Sequence, residues 1–147
     1  MKQALEKLKN WLQSWPGWQE EKIRVDALPV KSGSVGLFPQ GLQIRKREPD
    51  LFGNTQCLCR LTCKLLLCSD SRVEEMAGRL LELQGWILQQ SAQALAPVLG
   101  CLPHRERIYA GYGRQEKQLQ PGLWLYQLEL QADFVQYWEV QSDEAVF

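Results

Sequence analysis

The chain has 147 residues, 45% hydrophobic and 23% charged, a size at which one core can bury roughly 70% of the unfolded surface without metals or disulfides. Seventeen Lys and Arg balance seventeen Asp and Glu, so the basic excess that draws a protein to phosphates is missing and no nucleic-acid partner is expected. The amino terminus has no apolar signal core, and no stretch approaches the ~20 apolar residues of a membrane helix; a cytoplasmic protein with no membrane partner is expected.

Residues 2–15 predict an amphipathic helix. Leu5, Leu8, Leu12 and Trp15 recur at spacings of three and four, with Ala4 and Trp11 alongside, and Pro16-Gly17 ends the run. From Ile23 to Gly41 the chain reads as irregular, with short extended pieces at Ile23–Val25 and Val35–Phe38 around a Lys31-Ser-Gly-Ser34 turn. Leu42–Arg47 alternates as a further short strand, and Pro49–Asn54 carries turn chemistry at Gly53-Asn54.

A long strand is predicted over 55–68. Cys57, Cys59, Leu61, Cys63, Leu65 and Leu67 share one face, while Gln56, Arg60, Thr62 and Lys64 share the other. With Cys68 and Cys101 the chain has five cysteines, an odd count that argues against a disulfide framework. Paired Cys-x-x-Cys turns and His partners for zinc are both missing. The cysteines are expected to pack as small hydrophobes.

The main helix is predicted over 71–90. Ser71 and Glu74 have the spacing of a capping box, and Val73, Met76, Leu80, Leu83 and Ile87 follow at helical period. Gly78 and Gly85 either weaken this helix or let it approach the sheet. Glu74, Glu75 and Glu82 are expected to pair on its surface with Arg72 and Arg79.

Ala92–Pro103 is compatible with a short helix closed by Gly100 and Pro103, and Glu106–Tyr112 with a strand. Arg114–Gly122 reads as a polar hairpin loop. A second long strand is predicted over 123–139, where Trp124, Tyr126, Leu128, Leu130, Ala132, Phe134 and Trp138 oppose Gln127, Glu129, Gln131, Asp133 and Glu139. The acidic tail, 141–147, is expected to fray. The whole reads as a single α+β domain over 1–147, an antiparallel or mixed β-sheet with helices packed on one face. Two strands of this length exceed the usual five or six residues, which suggests that they reach a neighbouring subunit.

No catalytic constellation emerges. His104 is the sole histidine, and its nearness in sequence to Cys101 supplies neither an oxyanion hole nor an orienting third group. The Tyr109-Ala-Gly-Tyr-Gly113 stretch lacks the lysine and following helix of a phosphate loop, and reads instead as a strand with a bulge or close packing. No enzyme activity, cofactor or metal is expected.

Three stretches carry a family resemblance: Lys46-Arg-Glu-Pro-Asp-Leu-Phe-Gly-Asn54 leading into a long strand, the helix end Leu80-Leu-Glu-Leu-Gln-Gly-Trp-Ile87, and the late strand Tyr126-Gln-Leu-Glu-Leu130. Over Arg47–Phe134 the chain resembles tail-terminator or "minor capsid" proteins of phages and prophages of Gram-positive bacteria. The resemblance implies a virion structural protein whose copies form a ring, commonly a hexamer, at the head-proximal end of the tail tube. Tail-tube and head-connector proteins would be its partners. It would occupy the host cytoplasm during assembly and the tail or neck of the virion afterwards. A different head–tail connector or neck protein and a bacterial ligand-binding or regulatory domain are the alternatives. Candidate contacts between subunits or with partners are Glu48, Asp50, Phe52 and Asn54 in one loop, and Arg114, Glu116 and Lys117 in another. Phe52 could fill a neighbour's pocket or fold back onto its own sheet.

Overall fold

Period-two patterning after Thr55 produces the centre of the sheet. In a computed structural model describing residues 2–138, apart from the side chains of His104 and Trp138, β3 (Thr55–Ser69) pairs antiparallel along its whole length with β6 (Leu123–Trp138). On its other side it pairs antiparallel with β2 (Val35–Pro49). The short β1 (Ile23–Val25) adds a parallel edge to β2. Beyond β6, β4 (Arg107–Ala110) and β5 (Arg114–Gln120) share its outer edge, β4 along Leu130–Asp133 and β5 along Leu123–Gln127. The sheet is therefore six-stranded and mixed.

The helices cover one face. α1 (Lys2–Gln13) contributes Ala4, Leu8, Trp11 and Leu12, and α2 (Val73–Ala92) contributes Met76, Leu80, Leu83 and Ile87. They meet Cys57, Cys59, Leu61, Cys63, Leu65 and Leu67 of β3, and Tyr126, Leu128, Leu130, Ala132 and Phe134 of β6, in one continuous core. This is the α+β architecture expected from the sequence. The opposite face is polar along most of its length, where Arg60 and Asp133 form a bidentate cross-strand pair at 2.8 and 2.9 Å. At one end it carries a second small core of Cys68, Leu123 and Leu125, packed by Leu28, Leu66 and Leu119.

Three long strands, not two, build this sheet. The pieces expected at Val35–Phe38 and Leu42–Arg47 belong to one 15-residue strand. Register shifts at Pro39/Gly41 and Ile44/Lys46 absorb the residues that broke the pattern. The segment read as a hairpin loop, Arg114–Gly122, is mostly β5, and only Pro121-Gly122 turns. No α-helix forms over 93–102. After Ala94, at φ 58°, that segment runs without regular structure to a 3-10 turn at Pro103–Arg105.

Details of α2 also differ from expectation. Its N-cap is Arg72, without a side-chain cap bond. The Ser71 amide donates instead to Ser69 Oγ at 3.0 Å, so no capping box forms. Arg79 pairs with Glu21, not with a glutamate of its own helix, and neither Arg72 nor Glu74, Glu75 or Glu82 has an ion pair among the described residues. Gly78 and Gly85 are exposed, and a Cβ added at either would meet no atom within 4 Å. They do not serve close approach to the sheet. That service falls to Gly113, where an added Cβ would lie 2.5 Å from Leu80 Cβ. The end of the strand predicted to 139 and the tail at 141–147 lie outside the described residues. Among the described residues no helix is long and apolar enough to cross a membrane.

Candidate functional site

At one end of the sheet β2 and β3 are joined by a tight turn, with β6 alongside β3 as far as the Thr55–Trp138 pair. The turn is built by Asp50. Its carboxylate accepts from the amides of Phe52 at 2.8 Å and Asn54 at 2.9 Å, and its own amide donates to the Asn54 carbonyl at 2.8 Å. This is an Asx-type turn, completed by Gly53 at φ 85°, a conformation that glycine adopts without steric cost.

The turn fixes its backbone and turns its two large apolar side chains outward. Leu51 is 97% exposed and Phe52 is 87% exposed. Phe52 is therefore not folded back onto its own sheet. Glu48 sits just behind, its carboxylate 2.8 Å from Lys46 Nζ, and this hydrogen bond and charge hold Glu48 below its ordinary pKa. Of the candidate contact residues, Glu48, Asp50, Phe52 and Asn54 are thus brought together at one end of the molecule. Leu51, which sequence reasoning passed over, is the most exposed large apolar residue of the group. Its position beside Phe52 in a turn signal was the clue.

Arg114, Glu116 and Lys117 lie elsewhere. They belong to β5, and the register sets Arg114 opposite Gln127, which pairs in turn with Leu66 of β3. That level is roughly 35 Å from Thr55 along the strand at ~3.3 Å per residue. Arg114 Nε donates to Glu116 Oε1 at 2.9 Å on an exposed surface. The two candidate groups thus occupy opposite ends of the sheet.

Between β4 and β5 the Gly111-Tyr112-Gly113 break opens a shallow notch of about 420 Å³, lined by Tyr109, Tyr112, Arg114, Gln127, Glu129 and Gln131. Gln127 is 8% exposed there, and Tyr112 stands 81% exposed at its rim.

Four cysteines are buried as free thiols, and Cys101 is exposed. Burial pushes the Cys63 thiol up to about 11 and raises Cys59, where neighbouring Cys57 adds to the effect. Burial likewise raises Cys68. Such thiols are protonated and unreactive at neutral pH. No group of three or more His, Cys, Asp and Glu among the described residues could hold a metal ion. The histidine side chain expected to be non-catalytic, that of His104, lies outside the described part.

A scan against protein-family models matches nothing in this chain, and a search of curated proteins finds no significant match.

Proposed function

We propose that this chain is a phage or prophage virion structural protein, a tail terminator whose copies close into a ring at the head-proximal end of the tail tube. The observation that carries the reading is the β2–β3 tip. A locally rigid turn exposes Leu51 and Phe52 almost completely, although burying each is worth about 1.5–3 kcal/mol. Large apolar side chains on a preorganised tip are the usual anchors of a protein interface. The family resemblance over Arg47–Phe134 includes this same tip and supplies the kind of assembly.

A ring needs a heterologous contact in which two different surfaces of one chain meet. The candidate groups at opposite ends of the sheet, and the faces between them, offer such unlike surfaces. The tail tube and the head connector would bind the faces of the ring, during assembly in the host cytoplasm and then in the virion. Such a task needs no cofactor and no catalysis.

A ligand-binding domain is the second reading, favoured by the notch beside Tyr112 and the largely buried amide of Gln127. Electron microscopy of the concentrated protein separates the two. The assembly reading expects annular particles of uniform diameter. Single-chain particles only would support the ligand-binding domain.

A further inference from the structure

The side of α2 that faces away from the sheet carries an apolar stripe among its charged and polar residues. Gly78, Leu81, Gly85, Leu88 and Ala92 follow one another at spacings of three and four, so they form a single stripe along the axis. All five are exposed, with Leu81 at 58% and Leu88 at 41%. The buried residues Met76, Leu80, Leu83 and Ile87 occupy the opposite side. Leu81 and Leu88 stand about 10 Å apart along the helix at ~1.5 Å per residue, and Gly85 between them leaves a hollow floored by backbone. Neither glycine is required by the chain's own packing, and each weakens the helix relative to alanine. Their lack of side chains makes sense when another molecule fills the hollow.

We infer that the Leu51-Phe52 tip of a second copy of this chain docks in the hollow at Gly85, flanked by Leu81 and Leu88. This deepens the assembly role proposed above, and rests on it. Three observations select that occupant. A knob of two nearly fully exposed apolar side chains is matched by a trough whose floor is glycine. The strand leading to the knob carries Arg45, Lys46 and Arg47, and neither Arg45 nor Arg47 has an ion pair among the described residues. The helix bearing the trough carries Glu74, Glu75 and Glu82, likewise without ion pairs. Opposite charges would therefore flank the contact on its two sides. Finally, the tip points along the strands whereas the trough faces away from the sheet, so the two surfaces of one chain do not meet and a neighbour must supply the match. The tip alone buries less than the ~800 Å² per partner of a standard interface, so the charged flanks of β2 and α2 belong to the contact as well.

The test uses two full-length variants, both also carrying Cys101→Ser to remove the exposed thiol: Asn54→Cys beside the tip in one and Gln89→Cys, one helical turn from Gly85, in the other, so that knob and hollow both stay intact. Mixed at assembling concentration and treated with a short bismaleimide, they should give linked pairs that neither variant gives alone. Assembled protein without the 54–89 link overturns the docking while leaving the assembly role standing. Protein that never assembles, in wild-type form as well, overturns both. Gly85→Gln provides the control for folding. It should keep or raise the melting temperature while weakening assembly at least tenfold; undiminished assembly of this variant overturns the docking.

Discussion

Arg79 of α2 donates to Glu21 Oε2 at 2.9 Å, and the same nitrogen lies 3.2 Å from the Gly17 carbonyl, so one guanidinium ties the helix to the turn that follows α1. Its Cζ lies 5.9 Å from the rings of both Trp15 and Trp18, which meet edge to face at 4.9 Å. Side-chain exposure is 24% for Arg79 and 9% for Glu21. Removing the cation leaves a largely buried carboxylate without its partner. Arg79→Ala should lower unfolding free energy by about 2 kcal/mol, read by urea denaturation. A change below about 0.5 kcal/mol would contradict the role assigned to the pair.

Burial alone pushes the Glu21 carboxyl up, but the backbone amides of Gln19 and Glu21 and the paired Arg79 outweigh it and hold Glu21 below its ordinary value of 4.5. A depressed carboxylate stabilises the fold at pH above the unfolded value and loses that contribution as pH falls through the folded value. Wild-type stability should therefore drop more steeply than that of Glu21→Gln as pH falls from about 6 to about 3. Urea midpoints across that range provide the measurement, and parallel curves would contradict it.

The glycines of the molecule should divide by what faces them. Gly113→Ala drives a methyl group into Leu80, a core residue of α2, and should cost about 1–3 kcal/mol. Gly78→Ala adds its methyl to open space on a helix and should stabilise the dilute, unassembled chain by about 0.5–1 kcal/mol. Opposite signs in paired thermal melts are expected; equal effects would contradict the close approach at Gly113.

Cysteine accessibility gives an independent check on the core. A thiol-reactive chromophore at mildly alkaline pH should titrate Cys101 at once, and Cys57, Cys59, Cys63 and Cys68 only after denaturant is added. Rapid reaction of several thiols in the native protein would contradict the burial of the β3 face.

Legibility from sequence followed the strength of local patterning. β3 and β6 were readable because alternation persists over many residues despite exceptions such as Leu58 and Leu66, as were the two helices from their apolar period. β2 was not, because Gly36, Pro39 and Gly41 interrupt its alternation and only pairing along β3 holds it as one strand with two bulges. β5 was missed because Arg114-Gln-Glu-Lys-Gln118 has no apolar member. It is an edge strand specified by its partner β6. The expected capping box failed because Ser69 competes for the Ser71 amide. At the candidate site the turn chemistry of Asp50 and Gly53 was local and legible, while the exposure of Leu51 and Phe52 depends on where the rest of the chain is not. The division of the candidate residues between two ends of the sheet required the strand register.

The mass of the native protein in solution, followed by light scattering across a dilution series, decides whether its copies close into a ring. Closed-ring assembly predicts one fixed multiple of the chain mass at high concentration, giving way to single chains on dilution. Single chains at every concentration would contradict it, as would an open series of sizes that grows without limit.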